Sequence, residues 1–248
     1  MSRIKKVPLD KLLVDRGFAF TIAEAQARIM AGSVIVDDHT IDKPKTLISP
    51  AARIRLKHPP QQYASRGGIK LQKALTTFNI SVADKTVLDV GASTGGFTDC
   101  LLQHGARLVY AVDVGYGQLA WKLRNDTRVI VLERVPVCSL SQQDITHLAD
   151  LAVIDVSFTS LKKIWPPVII LIKPRGELLS LVKPQFEAKK EDVEPRGVVR
   201  SIKTYQEVMQ SLVEVAHDLS LHIVGIMESP IRGQKGNREF FLYAIKQA

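Results

Sequence analysis

Apolar runs and amphipathic stretches alternate along residues 68–248. A helical pattern over 69–79 precedes five apolar runs, which predict strands near 86–90, 108–113, 129–132, 151–156 and 177–183 with helical segments between them. This rhythm is typical of a parallel sheet with helices on both faces. Two further runs, 222–227 and 240–245, are joined by a loop too short for a crossover helix, so we expect them to pair antiparallel. The pattern predicts a doubly wound α/β fold whose sheet is parallel apart from one reversed strand.

The first quarter of the chain contains shorter elements. Apolar spacing predicts a helix from Leu9 to about Arg16, and then a second helix that Thr21 caps. Short strands near 34–36 and 53–56 follow. These elements predict a small α+β domain that folds apart from the sheet.

The two regions are separated by His58-Pro59-Pro60, because consecutive prolines interrupt regular structure. We expect a first domain over 1–58, a linker over 59–67 and a second domain over 68–248. No apolar segment reaches the roughly 20 residues that cross a bilayer, and the N-terminus lacks a signal-peptide pattern. We therefore expect a cytoplasmic protein that does not bind membranes.

Net charge is unevenly distributed along the 248 residues. The chain carries 34 Lys and Arg against 25 Asp and Glu, a net charge of +9. Residues 1–66 hold 12 basic and 6 acidic residues, so +6 of this excess lies in the first quarter. A basic surplus in a small domain favours a phosphate-rich partner, of which nucleic acid is the leading class. Cys100 and Cys138 have neither metal-ligand spacing nor a disulfide framework, so we expect no metal.

One apolar run ends in a turn of small residues and then begins a helix. Such a turn after a buried strand lets backbone amides approach a nucleotide-like cofactor. Ser93 stands where the dinucleotide fingerprint has glycine, which favours S-adenosylmethionine (SAM) and leaves NAD as the alternative. Asp113, at the end of the next run, can accept hydrogen bonds from the ribose of either cofactor. The candidate cofactor residues are Asp89, Gly91, Ser93, Thr94, Gly95, Gly96, Phe97 and Asp113.

Polar residues at strand ends are candidates for catalysis, because ligands of a parallel sheet bind beyond its carboxyl edge. Asp155 and Lys183 follow two predicted strands, and Glu239 begins the reversed strand at the same edge. Lys70, in the first helix of the domain, can reach this edge. Each residue alone has a simpler explanation: a cap, a solvated side chain or, for Glu239, a pair with Arg238. Together they form a Lys-Asp-Lys-Glu set.

Several cations and one aromatic residue are candidates for contacts with RNA. They lie in the first domain and in loops near the carboxyl edge of the sheet. Lysine and arginine bind phosphates, while an aromatic ring stacks on a base. Ordinary loops are the alternative. The candidates are Lys5, Lys6, Arg16, Arg28, Arg66, Phe186, Lys189 and Lys190, with Arg196, Arg232 and Lys235 as further phosphate ligands.

Motifs in both predicted domains resemble known families. The first domain resembles an S4 RNA-binding domain in Arg16-Gly17, the Ala25-Gln26-Ala27-Arg28 helix and Gly32-Ser33-Val34-Ile35-Val36-Asp37. The Lys-Asp-Lys-Glu set resembles the tetrad of the FtsJ-like ribose 2′-O-methyltransferases, which have a Rossmann-like SAM methyltransferase sheet. Longer segments throughout the chain resemble the hemolysin A (TlyA) family, among them Ser65-Arg66-Gly67-Gly68-x-Lys70-Leu71, Val182-Lys183-Pro184-Gln185-Phe186-Glu187 and Gly236-Asn237-x-Glu239.

The resemblance implies a SAM-dependent methyltransferase that acts on a cytidine 2′-hydroxyl of ribosomal RNA within a ribosomal subunit. For a chain ending at Ala248, the shorter family members suggest large-subunit RNA, with small-subunit RNA left open. Lys183 is expected to be the base or to orient the hydroxyl, and Asp155 to orient the pair and favour the sulfonium. Glu239 is expected to position Lys70 or Lys183, and Lys70 to steady the 2′-oxygen or a neighbouring phosphate. The alternatives are an NAD-dependent dehydrogenase, a non-catalytic RNA-binding factor and a membrane-lysing protein. The oligomeric state is left open.

Overall fold

A computed structural model describes residues 5–19, 21–57, 62–233 and 235–247. The chain forms two compact units, residues 1–61 and 62–248. Residues 1–4 and 58 of the expected first domain, 59–61 of the expected linker and Ala248 lie outside the described residues. Within the described part of the chain, no helix combines the length and the apolar character needed to span a bilayer.

The first unit packs two helices against short antiparallel strands. Its elements are β1 (Val7–Pro8), α1 (Leu9–Asp15), α2 (Ile22–Met30), β2 (Val34–Val36), β3 (His39–Ile41), β4 (Leu47–Ile48) and β5 (Ile54–Leu56). β1 pairs with β4, and β2 pairs with both β3 and β5. Thr21 Oγ1 accepts a hydrogen bond from the Glu24 backbone N at 3.1 Å, so Thr21 caps α2 as its position predicts. β1, β3 and β4 were not predicted, because strands of two or three residues are too short to show an alternating pattern.

The second unit is a seven-stranded sheet with helices on both faces. Its strand order is β11-β12-β10-β9-β6-β7-β8; strands β6 to β10 are parallel, and β12 is antiparallel to both of its neighbours. This arrangement confirms the predicted α/β class. The elements are α3 (Gly67–Phe78), β6 (Thr86–Val90), α4 (Gly96–Gln103), β7 (Leu108–Asp113), α5 (Trp121–Arg124), β8 (Val129–Glu133), β9 (Ala149–Ile154), α6 (Leu161–Ile169), β10 (Ile172–Val182), α7 (Pro184–Glu187), α8 (Ile202–Asp218), β11 (Leu221–Glu228) and β12 (Phe240–Lys246).

Two strand boundaries differ from the predicted ones in ways that matter for the edge of the sheet. β9 ends at Ile154, so Asp155 lies just beyond the strand. β10 begins at Ile172, five residues earlier than predicted, and its pairing with β9 is irregular between Ile172 and Glu177. The polar residues within that irregular stretch interrupt the apolar run, which is why the pattern did not reveal the start of the strand.

Each face of the sheet has its own apolar core. Strand side chains alternate between the two faces: Val87 joins the core under α3 and α4, and the adjacent Leu88 joins the core under α6 and α8. Trp165 of α6 is fully buried in the second core and donates its Nε1–H to Ser180 Oγ of β10 at 2.9 Å. Because both faces are covered, polar side chains of the central strands are concentrated at the strand ends.

Within the second unit, the segment before α3 packs on α4. Tyr63 is 2% exposed, and the backbone N of Ala64 donates to Asp99 Oδ2 of α4 at 2.7 Å. A Cβ on Gly68 would lie 2.2 Å from Tyr63 Cγ, so α3 can approach this segment only with glycine at that position. The packing holds Ser65 and the start of α3 at the carboxyl edge of the sheet.

Candidate active site

A cavity of about 470 Å³ lies at the carboxyl edge of the parallel strands. Its walls come from the start of α3, the turn between β6 and α4, the segments after β9 and β10, and the segment before β12. The volume falls within the range of pockets that hold small molecules and cofactors. All four residues of the Lys-Asp-Lys-Glu set line it, together with most of the glycine turn.

The turn between β6 and α4 has a backbone that only glycine accepts at two points. Gly91 has φ of +88°, and a Cβ there would lie 2.4 Å from the carbonyl oxygen of Asp155. Gly95 has φ of +92°, and a Cβ there would lie 2.2 Å from Leu123 Cδ1. The left-handed backbone carries the chain tightly from β6 into α4, and the amino end of α4 faces the cavity.

The Asp113 carboxylate accepts hydrogen bonds from two turns. Its Oδ2 accepts a hydrogen bond from the backbone N of Ser93 at 2.8 Å, and its Oδ1 accepts one from the backbone N of Gly115 at 2.6 Å. Ser93 has φ of +49°, a conformation uncommon for residues other than glycine. The carboxylate that was predicted to bind ribose therefore also fixes the strained turn; each oxygen keeps a second lone pair for a ligand.

Asp89 is a fully buried carboxylate beneath the turn. Thr98 Oγ1 donates to its Oδ2 at 2.6 Å, whereas its Oδ1 accepts no hydrogen bond from the described residues. Burial raises the pKa of Asp89 to about 7; the charges of Asp155 and Asp113 add to this rise, and the hydrogen bonds from Thr98 oppose it. A cation bound beside these three carboxylates would favour the ionised form of Asp89.

Two lysine–carboxylate ion pairs line the cavity. Lys183 Nζ lies 2.6 Å from Asp155 Oδ1 and also donates to Ser157 Oγ at 2.9 Å. Lys70 Nζ lies 2.6 Å from Glu239 Oε2, and the Glu239 side chain is only 4% exposed. The structure thus brings together all four predicted residues, in two pairs that bridge separate segments.

The simpler explanation for Glu239 is wrong. Arg238 turns away from it and forms an ion pair with Glu228 Oε2 at 2.6 Å. Glu239 instead holds Lys70, which reaches the edge of the sheet from α3. Glu239 was expected to position Lys70 or Lys183, and the lysine with which it forms an ion pair is Lys70.

Two aromatic rings lie side by side at the cavity. The ring centroids of Phe158 and Phe186 are 5.1 Å apart, with a tilt of 48° between the ring planes. Phe158 is 90% exposed and has φ of +62°, a combination that packing does not explain. An exposed ring such as that of Phe158, at a polar cavity, suits stacking against a planar ligand.

The structure places the candidate RNA contacts at the cavity, on the exposed surface or in contacts within the protein; Arg232 at the cavity also donates to the Gly236 carbonyl oxygen at 3.2 Å. Arg66, Arg232, Lys235 and Phe186 line the cavity, and Lys189, Lys190 and Arg196 are exposed in the segment after α7.

In the first unit, Lys5 and Lys6 are exposed. The Arg16 guanidinium donates to the carbonyl oxygens of Ala52, at 2.7 Å, and of Pro50. Arg28 forms an ion pair with Glu24 Oε1 at 2.7 Å.

The cavity wall contains several residues that the sequence did not single out, among them Ser157, Phe158 and Asn237. Ser157 and Phe158 follow Asp155 directly, so their position after β9 was a usable signal. Asn237 is 3% exposed; its Oδ1 accepts from the Val199 backbone N at 3.0 Å and its Nδ2 donates to the Gly197 carbonyl at 2.8 Å. Asn237 therefore fastens the loop around residue 197 beside Glu239.

Comparison with protein families agrees with this architecture. The FtsJ-like methyltransferase family model matches residues 63–246, and the S4 domain model matches residues 7–54. These matches confirm both resemblances noted in the sequence.

Individual relatives span almost the whole chain. The 16S/23S rRNA (cytidine-2′-O)-methyltransferase TlyA of Mycobacterium tuberculosis is 41% identical over 98% of this chain and 91% of its own length. Hemolysin A of Brachyspira hyodysenteriae is 37% identical over 96% of this chain and 99% of its own length. A solved structure from Streptococcus thermophilus is 41% identical, with a TM-score of 0.75 over 99% of this chain and 90% of that chain.

Proposed function

Because the chain belongs to the FtsJ-like methyltransferase family, we propose that it is a SAM-dependent enzyme that methylates a cytidine ribose 2′-hydroxyl in ribosomal RNA. The observation that carries the proposal is the presence of two lysine–carboxylate ion pairs in one cavity with the glycine turn. The proposed substrate is inferred from the Mycobacterium relative, which is named as a methyltransferase of cytidine in 16S and 23S rRNA. A ribose hydroxyl is a weak acid, so its methylation needs charged groups that manage its proton.

The glycine turn is the proposed SAM site. The unpartnered Oδ1 of Asp89 and the nearby carboxylates of Asp113 and Asp155 fit a ligand that carries positive charge but no phosphate. When bound, SAM supplies an activated methyl group on a positively charged sulfur. Asp89 and Asp113 would hold its polar groups, and the carboxylates around the turn would stabilise its charge. The remaining candidates for this contact are Ser93, Thr94, Gly95, Gly96 and Phe97.

Lys183 and Asp155 are the proposed proton relay. Lys183 Nζ would contact the ribose 2′-oxygen, pass one of its protons to Asp155 Oδ1, 2.6 Å away, and take the hydroxyl proton with the lone pair that this transfer frees. Bound SAM would supply the methyl group that the 2′-oxygen takes up and would keep the carbon–sulfur electron pair, so the sulfur would lose its positive charge while the relay gains the hydroxyl proton. Lys183 is therefore an ammonium both before and after the transfer, and the net proton acceptor is Asp155. Asp155 then releases the proton to water.

Lys70 and Glu239 are the proposed positioning pair. A carboxylate that is only 4% exposed is stable as an anion when a cation accompanies it, so Glu239 fixes Lys70 strongly. From this position the Lys70 ammonium would hold the 2′-oxygen or a neighbouring phosphate of the RNA. Two fixed ammonium groups around one oxygen would stabilise the negative charge that develops on it.

RNA is proposed to bind across the open side of the cavity. Arg66, Arg232 and Lys235 would contact phosphates of the RNA. Lys189 and Lys190 would contact phosphates further along the same RNA strand. Phe158 and Phe186 would stack on the base of the target nucleotide. The S4 domain, with Lys5 and Lys6, would provide further contacts with the RNA. Ribosomal RNA as the substrate is consistent with a cytoplasmic location.

The proposal is tested by methyl transfer from radiolabelled SAM to ribosomal subunits and naked rRNA that lack the modification. Nuclease digestion then maps the label. We expect label on the 2′-oxygen of a cytidine with the wild-type protein and none with Lys183→Ala. If SAM binds but no RNA is labelled, the protein is a non-catalytic RNA-binding factor. Label on a base rather than on a ribose would also contradict the proposal.

A further inference from the structure

The carboxylate of Glu187 joins two segments of the cavity wall that are distant in sequence, 155–161 and 183–187, here called the strand-end segments. Glu187 Oε2 accepts a hydrogen bond from Ser160 Oγ at 2.5 Å, and its Oε1 accepts one from the Leu161 backbone N at 2.8 Å. Ser160 caps the start of α6, and Glu187 is the last residue of α7. One side chain therefore ties the end of one strand-end segment to the end of the other.

The strand-end segments also meet inside the cavity. Lys183 forms its ion pair with Asp155 and its hydrogen bond with Ser157 across them, and Phe158 contacts Phe186. These contacts join one side chain to another. The contact of Glu187 with Leu161 reaches a backbone atom instead, so it constrains the course of the chain.

The α6 end of the link that Glu187 forms is anchored in the apolar core. Leu161 is buried, and Trp165 one turn further along α6 is fully buried and hydrogen-bonded to β10. A carboxylate at the amino end of a helix is also stabilised by the helix dipole and by charge-assisted hydrogen bonds. Glu187 can thus transmit the fixed position of α6 to the segment that carries Lys183.

We propose that Glu187 is a positioning residue for methyl transfer, which holds Lys183 in register with Asp155 and the target ribose. This inference rests on the proposed function. Its physical basis is the sensitivity of group transfer to geometry, since a misplacement of about 1 Å can lower a rate about 100-fold. A residue that only caps α6 would affect stability and leave the rate of transfer unchanged.

The test compares Glu187→Ala with Glu187→Gln. The glutamine can accept from the Leu161 N through its oxygen and donate to Ser160 Oγ through its nitrogen, so it preserves the tie and removes the charge. We expect kcat to fall at least about tenfold in Glu187→Ala and to stay within about threefold of wild type in Glu187→Gln. The dissociation constant for SAM should remain within about twofold in both variants, because the glycine turn does not contact Glu187.

Asp144→Ala is the matched control. Asp144 Oδ2 accepts from the backbone N and the Oγ of Ser141, both at 2.7 Å, which is the same type of contact in an exposed loop outside the cavity wall. We expect its kcat to equal that of wild type. Ser160→Ala, which keeps the bond to Leu161, should give a smaller loss than Glu187→Ala and covers the case that Glu187→Ala folds poorly.

Hydrogen–deuterium exchange of the same proteins provides a readout that does not need activity. Exchange in the strand-end segments should accelerate in Glu187→Ala and stay at the wild-type rate in Glu187→Gln. Wild-type turnover by Glu187→Ala, or equal losses in both variants, would overturn the inference. If the wild-type protein transfers no methyl group, the proposed function fails; unchanged exchange in Glu187→Ala then rejects the tie itself, and accelerated exchange supports it.

Discussion

The two sides of the cavity are built in different ways. The side proposed for SAM is a contiguous turn from Gly91 to Gly96, in which left-handed backbone and buried contacts set the shape. The side proposed for catalysis consists of charged side chains from four separate segments, and the Lys70–Glu239 pair joins residues 169 positions apart. Backbone space sets the shape of the first side, and pairs of charged side chains form the second. Substitutions should therefore separate cofactor affinity from catalytic rate.

Loss of a charge on the catalytic side should have the largest effect. Lys183→Ala removes the proposed first proton acceptor, and we expect the rate of methyl transfer to fall about 100-fold or more. Affinity for SAM should stay within about twofold, because the glycine turn keeps its shape. Single-turnover kinetics measure the rate, and isothermal calorimetry measures the affinity. A parallel loss of SAM binding would show that the two sides of the cavity are not independent.

An added methyl group on the cofactor side should have the opposite effect. Gly91→Ala places a Cβ 2.4 Å from the Asp155 carbonyl oxygen, so the backbone must move, and we expect SAM affinity to fall by about tenfold or more. Gly105→Ala is the control: its φ is also +88°, but the nearest atom to a Cβ is 3.6 Å away. Both variants carry about 1–2 kcal/mol of left-handed strain.

Calorimetric titration with SAM and thermal unfolding measure the two variants side by side. Only the clash differs between them, so Gly105→Ala should lose stability and bind SAM as the wild type does. Equal SAM affinity in the two variants would contradict the view that backbone space at Gly91 sets the cofactor site.

The buried carboxylate beneath the turn should make SAM binding depend on pH. The pKa of Asp89 is raised to about 7, and a bound cation favours its ionised form. Affinity for SAM should therefore rise about tenfold between pH 6 and pH 8. Asp89→Asn should remove this dependence and bind more weakly at pH 8. Equal pH profiles for the two proteins would rule out coupling between Asp89 and the cofactor.

The same group has a predictable effect on the unliganded protein. Because the folded pKa of Asp89 exceeds the ordinary value of 3.8, its contribution to stability is present below pH 4 and is lost as the pH rises through 7. The free energy of unfolding of Asp89→Asn relative to wild type should therefore increase between pH 4 and pH 8. Denaturant titrations at several pH values measure this difference.

The smallest effect is expected outside the cavity. The double variant Lys189→Ala, Lys190→Ala should weaken RNA binding a few-fold and lower the log–log salt slope by about 2, with the rate of bound substrate unchanged. Lys173→Ala, Arg175→Ala is the control, because both cations are exposed at the opposite edge of the sheet. Equal salt slopes for the two double variants, measured by filter binding, would exclude the segment after α7 from the RNA site.

Local patterns predicted the parts of this protein that depend on neighbours in the chain. Uninterrupted apolar runs predicted the central strands, and the small residues after Val90 predicted the turn at the cofactor side. Position after a strand was sufficient to select Asp155 and Lys183, since all parallel strands end at one edge. The same reasoning passed over Phe158, whose exposure is visible only when the folded surface is known.

By itself, the sequence determined the fold class, the order of the elements, the composition of the glycine turn and the four charged residues at the sheet edge. Tertiary structure alone decided how those four are paired, that Arg238 belongs to Glu228, and that Glu187 joins two strand-end segments. Apolar periodicity and turn chemistry depend on residues only a few positions apart, so they can be recognised in the sequence alone. An ion pair depends on distances of a few ångströms between segments that only the packed sheet brings together.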